Sequence, residues 1–150
     1  MIIVLQKVKE ASVSVQGKVS GKIKHGVCLL VGIEKGDTEE DALYLARKIA
    51  ELRIFPDNEG KMNLSLYDVQ GEVLAVSQFT LAGSVKKGRR PSFDKAEEPS
   101  RAEPLFRYFV NQIKKFGLKT ETGIFAASMD VYLINEGPVT FILQKKDTLS

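Results

Sequence analysis

The sequence predicts an α/β protein in which β layers pack on one another and two helices cover one outer face. Three observations predict it. Strand-length apolar runs outnumber helical segments, only two segments carry an apolar stripe of helical period, and the order is strands, helix, strands, helix, strands. Two helices cannot cover both faces of so many strands, so sheet must pack on sheet. The 150 residues suit a single domain over 1–150, since domains usually run ~100–150 residues. No linker or fixed-period repeat divides the chain. An apolar fraction of 43% and a charged fraction of 27% exclude collagen-like, coiled-coil and mainly disordered chains.

Residues 2–8 are β-rich, and 11–15 alternate, with Val13 and Val15 on one face and Ser12 and Ser14 on the other. Gln16-Gly17-Lys18 predicts a hairpin turn into a strand from Val19 to Ile23. Val27 to Ile33 is apolar on both faces and reads as a central buried strand. Asp37 and Glu40 have capping-box spacing, and Ala42, Leu45, Ala46 and Ile49 form one face of a helix. Leu52 to Phe55 predicts a short strand, Asp57 to Gly60 a turn, and Glu72 to Leu81 a strand. Pro99-Ser100 opens the second helix, with Ser100 and Glu103 as its capping box. Its buried face is Ala102, Leu105, Phe106, Phe109, Val110 and Ile113, and Gly117 stops it. Strands follow at Leu118 to Thr122, Ser128 to Asn135 and Val139 to Gln144.

Composition narrows the chemistry. One cysteine, Cys28, excludes an internal disulfide and any multi-cysteine zinc site. It sits in an apolar run, where a thiol is buried and inert. The lone histidine, His25, lies beside Gly26 at the start of a strand, with no sequence neighbour to activate it. Asp37, Glu39, Glu40 and Asp41 fit the positive end of a helix dipole better than a metal site. No metal or cofactor is expected. The longest apolar stretch, Val27 to Ile33, is far shorter than the ~20 residues of a membrane span. Without a basic n-region or an A-x-A site at the N-terminus, a cytoplasmic protein without a membrane partner is expected.

Three segments carry the functional expectations. Gly83 to Pro91 has G-x-x-x-x-G spacing, but it lacks the Lys-Ser/Thr of a phosphate-binding loop and ends in proline. What remains is a cluster of four cations, Lys86, Lys87, Arg89 and Arg90. It reads either as a solvated loop or as a contact to a phosphate backbone. Ser77-Gln-Phe-Thr-Leu81 ends an apolar strand with three polar side chains in four positions. Such a strand either emerges into solvent or lines a hydroxyl- and amide-bearing pocket. Asn135-Glu-Gly-Pro-Val-Thr140 breaks two apolar strands. By itself that is a turn, and a cis bond before the proline would mark it as specific.

With these two motifs, the chain resembles the D-aminoacyl-tRNA deacylases over essentially its whole length. Also similar are the Gln6-Lys-Val opening, Gly32-Ile-Glu-Lys-Gly36, Leu52-Arg-Ile-Phe55, Gly60-Lys-Met-Asn-Leu64, Gly88-Arg-Arg-Pro-Ser-Phe93 and Thr122-Gly-Ile-Phe-Ala126. The resemblance implies a three-layer β/β/α sandwich and a cytoplasmic homodimer acting on the 3′ end of aminoacylated tRNA, with no DNA partner. It implies hydrolysis of the ester between a D-amino acid and the terminal adenosine. It places each site at the dimer interface, with Ser77, Gln78, Phe79 and Thr80 from one subunit and Gly137 and cis-Pro138 from the other. Ala102, Phe125 and Met129 match positions that line or support the family pocket. Lys7 stands where the family usually has an arginine that holds the Gly-Pro loop, and lysine lacks the planar fork.

Neither motif contains the histidine or a carboxylate pair, so a base-activated nucleophile is poorly supplied. The ribose 2′-hydroxyl is the expected assistant to water, with amides near Phe79 and Thr80 stabilising the oxyanion. Thr80 as a nucleophile ranks second. Chirality is expected from exclusion, because a backbone pressed against the substrate Cα collides with an L side chain. Achiral glycine, as in a glycyl ester mischarged on tRNA-Ala, then fits. The rivals are a noncatalytic tRNA-binding module and an editing domain for another mischarged amino acid.

Overall fold

Residues 1–145 are described in the computed structural model. The elements are β1 (Ile2–Val15), β2 (Lys18–Ile23), β3 (Gly26–Gly32), α1 (Glu39–Glu51), β4 (Phe55–Pro56) and β5 (Met62–Leu64). There follow α2 (Leu66–Val69), β6 (Glu72–Ser77), a 3₁₀ turn (Phe79–Ala82), α3 (Pro99–Lys115), β7 (Thr120–Thr122) and β8 (Asp130–Gln144). The main sheet is mixed, in the order β2-β1-β3-β6-β7, with β8 on the other side of β1. β3, β6 and β7 are parallel, whereas β1 pairs antiparallel with β2, β3 and β8. β2 comes back to β7, where Ser20 Oγ donates to Thr122 O at 3.4 Å. The sheet therefore rolls nearly into a barrel, and its two halves supply the two β layers.

Strand alternation divides the core between the two faces of this sheet. Ile3, Leu5, Val27, Leu29, Val31, Val73 and Ala75 face α1 and α3. Val8, Val13, Ile23, Cys28, Leu74 and Val76 fill the inside of the roll. The expected apolar face of α1 is buried, with Ala50 added. α3 buries Ala102, Phe106, Phe109, Val110 and Ile113, with Leu105 only partly covered. Burial pushes the Cys28 thiol up to about 12, which makes it a poor nucleophile.

Several boundaries differ from the sequence reading, each for a local reason. Residues 2–15 form one strand, because Lys9 and Glu10 stay extended and irregular register against β8 absorbs the bend. The cap of α1 is Thr38 with Asp41, not Asp37 with Glu40. Asp37 is engaged elsewhere, accepting from Glu34 N at 2.7 Å and the Met1 ammonium at 2.6 Å. α3 starts at Pro99 without the Ser100–Glu103 box. The fixed φ of a proline suits the first helical position, and Glu103 instead accepts from Arg107 at 2.7 Å. Leu52 still donates to Lys48 O in the last turn of α1, so the next strand is only Phe55–Pro56.

The stretch 72–81 is a strand only to Ser77. Gln78 N still donates to Val31 O at 2.7 Å, but β3 ends at Gly32, and the chain coils into the 3₁₀ turn. Gly32 permits this turn, because a Cβ there would stand 2.9 Å from Leu81 Cβ. β7 starts at Thr120 rather than Leu118. The two expected final strands are one, Asp130–Gln144, with a register shift at the Gly-Pro element. β5 and α2 have no counterpart in the sequence reading, although Ser65 and Asp68 have the capping-box spacing that signals α2. Among the described residues, no helix is long and apolar enough to cross a membrane.

Candidate active site

A cleft of about 500 Å³ opens at the C-terminal ends of β3 and β6. Ligands of open α/β sheets favour this end of parallel strands, and the size falls in the ~300–1,000 Å³ range of small-molecule sites. Val31 and Ile33 form part of its floor, and Val76, Ser77, Gln78, Phe79 and Thr80 one wall. Pro99 and Ala102 come from the start of α3, Phe125, Ala126, Ala127 and Met129 from the approach to β8, and Val131 from β8 itself. The predicted Ser77, Gln78, Phe79, Thr80, Ala102, Phe125 and Met129 thus converge on one surface.

Coiling after Ser77 replaces the expected two-faced strand. Gln78 Nε2 donates to Thr80 Oγ1 at 3.1 Å. Phe79 is exposed and meets Phe93 edge to face, with ring centroids 5.1 Å apart. Gln78 provides no side-chain cap for the turn, and the first N–H groups of a helical turn lack internal partners. The Phe79 and Thr80 amides therefore lead a short turn at the cleft wall. Thr80 has an amide neighbour, which is no general base. Glu97 is the single carboxylate among the described lining residues, and its Oε1 accepts from Glu98 N at 2.9 Å. Sequence reasoning missed Glu97, since it lies in neither motif and the loop from 83 to 98 brings it back to the cleft.

Gly137 and Pro138 are exposed, and the bond between them is cis. They do not line the cleft of their own chain. Their loop stands opposite Lys7, between the pairs Gln6↔Thr140 and Val8↔Asn135. Lys7 pairs with Val27, whereas Ser77 pairs with Val31. Four residues along β3 amount to ~13 Å, and three strand spacings of ~4.8 Å separate β8 from β6. Lys7 is buried, with Nζ 3.9 Å from Glu136 Oε1, so it too sits with the Gly-Pro loop and not in the cleft.

The cationic loop leaves the same wall. Ser84 and Ser92 pin its base with paired backbone hydrogen bonds of 2.7 and 2.8 Å. Lys86, Lys87, Arg89 and Arg90 project from it exposed, and among the described residues none of the four has an ion-pair partner. Also among the described residues, no group of three His, Cys, Asp or Glu is placed to hold a metal.

An apolar, aromatic-walled cleft with a basic flank suits a ligand that carries a base and phosphates. The comparisons give the particular family. The family model described as D-Tyr-tRNA(Tyr) deacylase matches residues 4–144. The D-aminoacyl-tRNA deacylase of Persephonella marina is 56% identical over 146 residues, covering 97% of this chain and 99% of the relative. That of Geobacter sulfurreducens is 56% identical over 147 residues, covering 98% and 97%. A solved structure titled c-Myc DNA Unwinding Element Binding Protein superposes with a TM-score of 0.90 at 40% identity, covering 97% of this chain and 99% of that one. A second, titled as a probable eukaryotic D-amino acid tRNA deacylase, shares the fold with a TM-score of 0.80 at 18% identity, covering 95% and 97%. The chain belongs to the D-Tyr-tRNA(Tyr) deacylase family.

Proposed function

We propose that this chain hydrolyses the ester between a D-amino acid and the 3′-terminal adenosine of tRNA, in sites each assembled from two copies of the chain. Family membership supports the reaction. The observation that carries the two-copy site is the separation of the motifs within one chain. A Gly-Pro loop that faces solvent here needs a second cleft to enter. β8 supports this, because among the described residues it pairs only with β1, leaving an open edge. It also exposes Val131, Tyr132, Ile134, Phe141 and Ile142, the last at 68%. A long apolar edge strand is a pairing surface unless something covers it.

In this reading the adenine stacks on the apolar wall of Ala102, Phe125 and Met129. The ester carbonyl points at the Phe79 and Thr80 amides, which stabilise the oxyanion as water attacks. The ribose 2′-hydroxyl takes the part of the missing base. The partner's loop lies against the substrate Cα, where Gly137 and Pro138 leave space for hydrogen but not for an L side chain. A glycyl ester has no side chain to collide and enters. The cytoplasm, where aminoacyl-tRNA is used, is the compartment this reaction implies.

Release of tyrosine from D-Tyr-tRNA and L-Tyr-tRNA at equal enzyme concentration tests the reading. The expected result is rapid D release with the L ester untouched. Release from neither, with tRNA still bound, would favour a binding module; L release would favour an editing domain of other specificity. The solved relative titled for a DNA element suggests another polyanion for the same basic loop, and turnover separates hydrolysis from binding alone.

The loop from Lys86 to Arg90 holds acceptor-stem phosphates in this reading. Affinity for tRNA should fall steeply with salt, and reversing Lys86 and Lys87 to Glu should weaken binding and flatten that slope. Each phosphate contact removed lowers the slope of log affinity against log salt by roughly 0.7–0.9. Fluorescence titrations across the salt range measure both. A slope unchanged by the reversal would remove this loop from the interface.

A further inference from the structure

We infer that His25 is a positioning residue for the Gly-Pro loop, holding it through Glu136; the inference rests on the reading of that loop as the chiral filter. Between Gln6↔Thr140 and Val8↔Asn135, a single β1 residue faces four residues of β8. Glu136 to Val139 therefore leave the regular ladder, and other bonds must fix them. Asn135 closes the base, accepting from Val139 N at 2.7 Å and donating from Nδ2 to Thr140 Oγ1 at 2.9 Å. A further hold is the carboxylate of Glu136, next to Gly137 in the chain.

Among the described residues, two cationic or polar groups reach that carboxylate, and they are unequal. Lys7 Nζ stands 3.9 Å from Glu136 Oε1, an ion pair beyond hydrogen-bond range. His25 Nε2 is 3.2 Å from the same oxygen, so its N–H makes the direct hydrogen bond. Both partners of His25 fix its direction. Its ring meets the fully buried Phe55 edge to face at 5.3 Å, and its carbonyl accepts from Glu72 N at 3.0 Å. The half-exposed imidazole thereby bridges the β2–β3 turn to the loop. A guanidinium at position 7 would be longer and forked, able to bind the carboxylate twice without help. With lysine there, the hydrogen bond falls to His25.

Loosening a positioned group by ~1 Å can cost ~10²-fold in rate. His25→Ala should therefore lower kcat on D-Tyr-tRNA by roughly 10-fold or more. KM should stay within about twofold, since tRNA affinity comes from the phosphate contacts. Thermal midpoint should be nearly unchanged. His25→Gln, which keeps an N–H donor near the same place, should retain most of kcat. Adding Lys7→Arg to His25→Ala should restore it. An unchanged kcat in His25→Ala, or a loss that Lys7→Arg does not restore, overturns the inference. If the unaltered enzyme releases no D-tyrosine, it is the deacylase reading that fails, and the two failures are distinct.

Discussion

Replacing the 2′-hydroxyl of the terminal adenosine by hydrogen is expected to slow turnover of the D-aminoacyl ester by ~10³-fold or more, on the scale of a lost neighbouring or acid–base group. Binding should change little, because the phosphates and the base are untouched. The expectation follows from what the cleft lacks. The histidine is at the other end of β3, engaged with Glu136. Thr80 Oγ1 has an amide neighbour, and Glu97 is tied to a backbone N–H. Thr80→Ala and Glu97→Gln should each keep activity within about 10-fold of the unaltered enzyme. A loss near 10⁴-fold in Thr80→Ala, the scale of removing a nucleophilic triad member, would return the chemistry to the protein. Single-turnover rates with the deoxy substrate, beside a binding titration, decide between the two.

Some of this site is readable in the sequence because its determinants are local. The helical period of Ala42, Leu45, Ala46 and Ile49 and the turn chemistry of Gln16-Gly17 report structure within a few residues. The family resemblance supplies Ser77 to Thr80, Ala102, Phe125 and Met129, and the fold brings all of them to one cleft. What local patterns cannot give is competition between partners. Asp37 has the right spacing for a cap, but it is recruited by the Met1 ammonium and Glu34, so Thr38 caps instead. The polar alternation after Val76 suggests more strand, but β3 has ended and the chain coils. His25 and Glu136 are 111 positions apart. Nothing near either one announces the pair, and only the bulge opposite Lys7 makes it meaningful.

The largest structural expectation concerns mixed dimers. A Gly137→Val chain should be inactive. Gly137 has φ +137°, and a Cβ there would come within 2.6 Å of Val139 Cγ2, so the loop must distort whatever fills the substrate side. An Ala102→Phe chain should also be inactive, because the added ring fills the cleft that Ala102 lines. If each site joins the cleft of one chain to the loop of another, the two dead variants complement. Equal mixing with full exchange makes half the dimers hybrid, and each hybrid has one intact site. Activity should then recover to about one quarter of the unaltered enzyme's. A site contained within one chain gives no recovery, because every chain carries a lesion. Exchange is confirmed by tagging one variant and measuring co-purification. Recovered D-tyrosine release alongside it would establish that the exposed loop acts across β8, whereas confirmed hybrids without activity would place cleft and loop in separate tasks.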